Sequence, residues 1–336
     1  MKIAVFGPDR RVGIIENDSV IDANGAYAKY LADTGAVRAQ EHADAFVPAG
    51  LNSFIEEGAA ALAASRTAVE HVTGESTGST TGVHGRQIVF ALGQTRLHPP
   101  IEGPSRIFAA LANFSAHMQA AAKNTTDAAT VETINKLQAG GPKYFMKDAR
   151  AASTDGDPVR YPARTTLMDY EAEVAVVIGK QVRDVAAGDF TPVIYGYTLA
   201  NDWSIRSNVS FGPDFQYSKN FDTGTGLGPW IVVDESIDPL DIPVGLKVNG
   251  EVRQDGNTDQ MVHDWGAFGA HLSRDLTLYP GDMILSGTPK GTAVDSSKRE
   301  PDGTFLDDSA FLKPGDVVEV FSPLLGTLTN EIVKAD

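Results

Sequence analysis

The chain contains no cysteine among its 336 residues. Disulfide bonds, thiolate catalysis and zinc held by cysteine are therefore excluded, and the absence fits a reducing cytosol. Positive charge is also scarce, because 28 Lys and Arg oppose 44 Asp and Glu and leave a formal net charge of -16. This balance argues against nucleic acid or an anionic membrane surface as a partner. An acidic small molecule can still bind, but only through local cations or a metal ion.

Long apolar runs are missing as well. No stretch approaches the roughly 20 apolar residues of a membrane span. The first eight residues carry one lysine and a short apolar run broken by Gly7 and Pro8, which is less than a signal sequence requires. We therefore expect a cytoplasmic protein. An apolar content of 42% and a charged content of 21% are ordinary for a globular protein, and the length suits one large domain with a small one.

The first part of the chain predicts a small α+β domain over residues 1–95. Three short apolar segments separated by turn formers indicate an antiparallel meander, and two alanine-rich segments after them indicate helices. A polar stretch near residues 74–85 has almost nothing apolar to bury and is typical of a flexible linker. The predicted strands cover residues 2–6, 11–15 and 19–21, and the predicted helices cover residues 26–40 and 51–72.

The rest of the chain predicts an α+β, mainly β domain, curled or sandwiched. Strand patterns recur without regular amphipathic helices between them, so a doubly wound parallel sheet is not favoured. Residues 278–284 and 312–318 echo each other, since each carries a Pro-Gly-Asp turn that leads into an apolar strand. The predicted strands cover residues 173–178, 194–199, 230–233, 246–248, 283–285 and 317–321.

Two glutamates alternate on one of these strands. Side chains at positions i and i+2 share a face of a strand, so Glu171 and Glu173 point the same way, about 7 Å apart at their bases. The next residues on that face are Ala175 and Val177, which indicates that the face is turned to the core. Two buried carboxylates repel each other and lose hydration unless a cation compensates them.

Asp202 follows another predicted strand and can supply a third oxygen ligand. Three carboxylates without His or Cys suit a hard cation, Mg²⁺ or alternatively Mn²⁺ or Ca²⁺. The competing interpretation is a solvent-facing strand edge that carries two glutamates. Spacing alone leaves both interpretations open.

Several segments, taken in order, resemble the fumarylacetoacetate hydrolase family. The resemblance spans about residues 100–334, and its combination of motifs is specific. Asn113-Phe114-Ser115-Ala116-His117 is similar to the family's Asn-Tyr-x-x-His element, and Pro142–Lys147 is similar to its Pro-x-x-Phe-x-Lys element. The other matching segments are residues 169–180, 196–206, 219–222, 227–230, 248–251, 280–291 and 314–320.

This resemblance implies a mixed β-roll catalytic domain over residues 100–334, a homodimer, and a metal ion on Glu171, Glu173 and Asp202. The family acts on 2-oxo and 1,3-dioxo acids, which chelate the cation through carboxylate and oxo oxygens and react through an enolate. We expect hydrolysis of a C–C bond in an acylpyruvate- or fumarylacetoacetate-like substrate. The alternatives are a decarboxylase or isomerase of ring-cleavage products, a hydratase of sugar acids, or a poorly active member that binds an oxo-acid.

The resemblance implies that His117 is the general base. The family commonly places a glutamate three residues after this histidine, where this chain has Ala120. Glu132 is the candidate that folds back to replace it. Glu132 lies in a polar stretch, Lys123–Gly140, which is long for a passive loop and predicts a mobile lid.

Other polar residues are candidates for substrate binding. Lys219 is expected to place positive charge near a substrate oxygen, and Arg206 to clamp a carboxylate. Thr288 can offer a hydroxyl and a backbone N–H to a carboxylate. Each of these residues also has a structural interpretation, and His263 and His271 are predicted to be structural only. The remaining candidates are Lys147, which can pair with the glutamates, and Tyr170 and Gln216, which can line the pocket.

Overall fold

Strands are the most numerous elements of regular structure, as the alternating apolar segments predict. The computed structural model describes residues 1–74, 80–124, 128–207, 215–300 and 304–335. The strands are β1 (Lys2–Phe6), β2 (Arg11–Glu16), β3 (Ser19–Asp22), β4 (Val89–Ala91), β5 (Leu97–His98), β6 (Ile107–Ala110), β7 (Tyr144–Lys147), β8 (Ala152–Ser153), β9 (Val159–Tyr161), β10 (Met168–Asp169), β11 (Ala172–Ile178), β12 (Ile194–Asn201), β13 (Ser204–Ile205), β14 (Thr225–Val232), β15 (Pro243–Val248), β16 (Glu251–Asn257), β17 (Met283–Leu285), β18 (Val317–Ser322) and β19 (Gly326–Lys334). The helices are α1 (Ala23–Asp33), α2 (Ala39–Phe46), α3 (Leu51–Gly74), α4 (Ser115–Lys123), α5 (Ala128–Ala139), α6 (Phe215–Lys219), α7 (Trp265–Ser273) and α8 (Ala293–Ser296).

Two sheets carry most of these strands. The larger one has 12 strands in the order β4-β3-β2-β1-β14-β12-β11-β17-β6-β7, with β5 added to β1 and β8 added to β14. The smaller one runs β16-β15-β18-β19-β9. Most neighbours are antiparallel, and the parallel exceptions are β17 with β6, β14 with β8 and β19 with β9. The predicted α+β, mainly β class is confirmed.

Strand β1 links the first part of the chain to the second. It pairs with β14, so that Lys2 lies opposite Val232 and Ile3 lies opposite Ile231. Strands of the predicted N-terminal and catalytic domains therefore belong to one sheet, a long-range pairing that local patterns did not indicate. The boundary near residue 95 stays a prediction. Of the predicted linker at 74–85, residues 75–79 lie outside the described residues.

Strand β11 lies in the interior of the large sheet, between β12 and β17, and all seven of its residues are buried. Its alternation sends Val174 and Val176 into one hydrophobic cluster and Ala175 and Val177 into another. Glu173 shares the Ala175 face, as predicted, so its carboxylate enters the protein interior instead of water. Within the described residues, no helix is long and apolar enough to cross a membrane.

Helix α7 packs so closely on Phe190 that only glycine fits at position 269. A Cβ at Gly269 would lie 2.1 Å from Cδ2 of the Phe190 ring, and both residues are buried. We expect Gly269→Ala to lower the free energy of unfolding by about 1–3 kcal/mol, because a packed ring must move. Thermal melting should show a decrease of a few degrees. Gly188→Ala is the control, since a Cβ there meets nothing within 4 Å, and equal melting temperatures for the two variants would contradict the expectation.

Candidate metal centre

Three carboxylates meet where two neighbouring strands begin and end. Glu171 directly precedes β11, Glu173 is its second residue, and Asp202 directly follows β12. Antiparallel pairing sets Ala172 opposite Asn201, and the Asp202 amide donates to the Glu171 carbonyl at 3.0 Å. One carboxylate oxygen from each acidic residue lies within 4.8 Å of the others. Glu171, Glu173 and Asp202 are only 5%, 1% and 1% exposed. The alternative interpretation, a solvent-facing strand edge, is therefore wrong.

Two lysines support these carboxylates from within the protein. Lys219 Nζ donates to Glu171 Oε2, Asp202 Oδ2 and Ser204 Oγ, each at 2.7 Å. Lys147 Nζ donates to Asp202 Oδ1 at 2.5 Å and to the Gly224 carbonyl at 2.7 Å. Both ammonium groups therefore bind candidate metal ligands directly, and the predicted pairing of Lys147 with the acidic cluster is present.

Arg206 completes the positive side of the centre. Its Nε donates to Asp169 at 2.9 Å, and its terminal nitrogen donates to Glu171. Burial would raise the pKa of Glu171, but the charges of Lys219 and Arg206 outweigh burial and hold that pKa far below its usual value. Two carboxylates of its own chain thus occupy Nε and one terminal nitrogen of Arg206. Its predicted role as a clamp for a substrate carboxylate stays a prediction.

Glu173 differs from its two neighbours because it forms no ion pair with any residue that the structure describes. Its carboxylate accepts one hydrogen bond, from the Gly287 amide at 3.0 Å. Burial, and then the negative charges of Asp202 and Glu171, raise the pKa of Glu173 well above its usual value. A buried carboxylate beside two others needs a cation, and the described side chains supply none to Glu173.

The charges around the triad point to a divalent ion. Five buried carboxylates gather here, while three basic side chains, Lys147, Lys219 and Arg206, are in ion-pair contact with them. No described basic side chain contacts Glu173, and a divalent cation bound by the triad would supply that positive charge. Oxygen ligands of this kind suit Mg²⁺, Mn²⁺ or Ca²⁺. The five carboxylates are those of Asp169, Glu171, Glu173, Asp202 and Asp295.

His117 lies on α4 and is oriented by Asp295, which lies on α8. Its Nδ1 is 2.9 Å from the Asp295 carboxylate, and no described residue hydrogen-bonds its Nε2. Asp295 is itself fixed, because the amides of Gly291 and Thr292 donate to it at 2.8 and 3.3 Å. Burial alone would lower the pKa of His117, but the charge of Asp295 and the hydrogen bond to it outweigh burial and raise that pKa. A histidine held this way at Nδ1 presents Nε2 for proton transfer.

Asp295 is the carboxylate that contacts His117, a role that the sequence predicts for Glu132. Glu132 instead pairs with Lys136 at 2.6 Å, one turn further along α5, and both side chains are largely exposed. The expectation that Glu132 folds back onto His117 is therefore wrong. The segment contains the helix α5, and residues 125–127 lie outside the described part of the chain, so the mobile lid stays a prediction. The sequence did contain a helix-capping pattern, Thr292-x-x-Asp295, which indicates that the Asp295 carboxylate is held in place at the start of a helix.

The other substrate-binding candidates lie in different settings. The Thr288 hydroxyl donates to the Ala172 carbonyl at 3.0 Å and accepts from Gln254 at 2.8 Å, so it connects the loop after β17 to β11. Tyr170 is buried and donates to the Gly291 carbonyl at 3.2 Å. Gln216 is exposed on α6 beside Asn220. Contacts of these three side chains within the chain therefore explain their positions, and their roles toward substrate stay predictions.

The fold and the site define a class of protein, a β-rich one with a buried carboxylate triad that can hold a cation and a His–Asp pair beside it. The model of the fumarylacetoacetate (FAA) hydrolase C-terminal domain matches residues 106–333, and the chain belongs to that family. The mitochondrial oxaloacetate tautomerase of Xenopus laevis is 30% identical over 296 residues, which cover 86% of this chain and 80% of the relative. The 2,4-didehydro-3-deoxy-L-rhamnonate hydrolase of Sphingomonas sp. (strain SKA58) is 31% identical over 266 residues, which cover 79% and 86%.

A solved structure with a metal ion resembles the whole chain. The maleylpyruvate hydrolase from Sphingobium sp. SYK-6, crystallised with manganese(II) and pyruvate, superposes with a TM-score of 0.68. It is 25% identical and covers 100% of both chains. Members of the family are thus enzymes of small oxo-acids, and one of them is known with a divalent ion.

Proposed function

We propose that this chain is a divalent-metal-dependent enzyme that cleaves a C–C bond in a small 2-oxo or 1,3-dioxo acid by hydrolysis. Glu171, Glu173 and Asp202 hold the ion, which we take to be Mg²⁺ or Mn²⁺. The observation that carries this proposal is the unpaired carboxylate of Glu173 within the buried triad. When bound, the ion supplies a Lewis acid for the carboxylate and oxo oxygens of the substrate and stabilises charge that develops there.

His117 performs the proton transfers. Nδ1 is held by Asp295, so the lone pair of Nε2 accepts a proton from water or from the carbon next to the oxo group. Asp295 stabilises the imidazolium that forms, since it is buried and acts in a low dielectric. Lys219 holds Glu171 and Asp202 in place as ligands, and Lys147 holds Asp202.

Tautomerisation of a 2-oxo acid is the second candidate. The similarity to an oxaloacetate tautomerase over 86% of this chain favours it. Both reactions use the same proton transfer at carbon, and hydrolysis additionally needs a water molecule beside His117. A homodimer in the cytoplasm is part of the proposal as well, and light scattering of the purified chain tests the dimer.

Calorimetry and turnover assays separate these possibilities. We expect oxalate to bind only when Mg²⁺ or Mn²⁺ is present, because its two carboxylates chelate the ion as a 2-oxo acid does. We then expect turnover of one or more acylpyruvates with release of pyruvate. Exchange between the keto and enol forms of oxaloacetate without cleavage of any acylpyruvate would favour the tautomerase. Oxalate binding without turnover of either substrate class would instead indicate a binding protein.

A further inference from the structure

Arg299 carries a buried hydrogen-bond donor without an acceptor. Its Nε is enclosed and has no partner, and no described carboxylate lies within ion-pair distance of its guanidinium. Burial, and then the positive charge of Arg206, lower the pKa of Arg299 to about 10, so the group is still charged at neutral pH. Arg299 is half-buried, but its Nε is cut off from water and lacks an acceptor, and an unpaired buried donor is costly.

This side chain lies on the side of the site that holds the His–Asp pair. The Arg299 amide donates to the carbonyl of Asn124 at 2.9 Å, and Asn124 ends the helix that carries His117. The Asn124 side chain in turn donates to the backbone of Asp295. The charges that act on Arg299 are those of Arg206, Asp169 and Asp295. Arg299 is therefore tied to the residues that position the candidate base.

Its orientation is fixed by an aromatic ring. The guanidinium carbon lies 4.6 Å from the centroid of the Phe305 ring, and Arg299 and Phe305 form a β-bridge. Phe305 itself packs edge-on against the buried Phe311. A cation held against a ring keeps its in-plane N–H donors available, which is the geometry that suits two oxygens of a carboxylate.

We propose that Arg299 binds a second carboxylate of the substrate, at the end remote from the metal ion, and so selects dicarboxylic 2-oxo acids. This inference rests on the proposed function, because the triad must hold the other end of the substrate. Nε and one terminal nitrogen of Arg206 already bind Asp169 and Glu171, whereas Nε of Arg299 meets no acceptor among the described residues.

The similarity of this chain to known enzymes leaves the substrate class open, and Arg299 decides it. Oxaloacetate carries two carboxylates, while 2,4-didehydro-3-deoxy-L-rhamnonate carries one, and relatives of this chain act on each. A half-buried cation on the side of the His–Asp pair favours the first kind of substrate. It disfavours an uncharged chain end, which leaves the guanidinium without a partner.

Displacement of oxalate from the Mn²⁺-loaded protein, followed by calorimetry, tests the proposal. The competitors are three pairs of matched chain length: fresh oxaloacetate with 2-oxobutyrate, 2-oxoglutarate with 2-oxopentanoate, and 2-oxoadipate with 2-oxohexanoate. In the native protein at least one dicarboxylic 2-oxo acid should bind roughly 10- to 100-fold more tightly than the monocarboxylic acid of the same chain length. Arg299→Gln should remove that difference and leave the affinity for oxalate unchanged. Arg299→Lys should keep part of it, because the charge remains.

Lys298→Gln is the matched control, since it removes one positive charge from the adjacent, exposed position. It should leave the preference for the dicarboxylate intact. The proposal is overturned if the native protein shows no preference, if Arg299→Gln retains it, or if Arg299→Gln weakens oxalate and every competitor alike. If oxalate does not bind the Mn²⁺-loaded native protein, the metal centre itself is refuted, and the proposal for Arg299 is refuted as well.

Discussion

Glu173→Gln is expected to abolish both metal binding and activity while leaving the metal-free protein folded. The change removes the one member of the triad that no basic side chain balances, so a ligand disappears and no ion pair breaks. Affinity for Mn²⁺ should fall by about 100-fold or more. Turnover should fall by about 10³-fold or more, because a Lewis acid contributes several kcal/mol to such reactions.

Thermal melting with and without Mn²⁺ supplies a readout that does not depend on activity. A ligand at 100 times its dissociation constant stabilises the native state by about 2.7 kcal/mol, and this gain should be present in the native protein and absent in Glu173→Gln. The metal-free variant should melt at about the same temperature as the native protein, since Gln can still accept the hydrogen bond from the Gly287 amide and no ion pair is lost. Glu235→Gln, an exposed position, is the control. A variant that keeps its response to Mn²⁺ would show that the triad is not the metal site.

Asp295→Asn is expected to lower turnover by about 10²-fold or more with little change in oxalate affinity. The amide cannot stabilise an imidazolium as a carboxylate does, and it can hold His117 in the wrong tautomer. His117→Gln should cost a similar factor, and the double variant should be little worse than either single one, because the two residues act as a unit.

The pH dependence gives the test that a purely structural role of Asp295 would not meet. His117 acts as a base only when neutral, so kcat/KM should rise with pH through its pKa, which Asp295 raises. Loss of the carboxylate lowers that pKa, so the acid limb should move to lower pH while the plateau falls. Glu132→Gln is the matched control, because Glu132 is paired with Lys136 at the surface. An unchanged acid limb in Asp295→Asn would remove Asp295 from the mechanism.

The sequence predicted the parts of the site that depend on local periodicity. Glu171 and Glu173 share a face because strands repeat every two residues, and Asp202 ends a strand that was visible as an apolar run. The fold class followed from the same patterns. The spacing of the glutamates did not decide between a metal site and an exposed strand edge. The resemblance of several motifs, in the same order, to the family then favoured the metal site.

The sequence did not predict contacts that tertiary packing decides. Asp295 lies 178 residues from His117, and nothing near either residue indicates the other. Glu132 was chosen for its chemistry and nearness in sequence, but a helix offered it Lys136 at the i+4 position, an interaction common on exposed helices. The pairing of β1 with β14 spans more than 200 residues and is invisible to any local pattern.

That pairing has a consequence for how the site is assembled. Strand β1 can pair with β14, and β6 with β17, only after the long segments between them have been made, and the large sheet can close only then. Pairings this distant along the chain slow folding, since much of the chain must be ordered before the contact forms. Until β14 arrives, the edge of the N-terminal meander is open to other strands and is exposed to aggregation. The large sheet that carries Glu173 is therefore complete only when segments far apart in the sequence have come together.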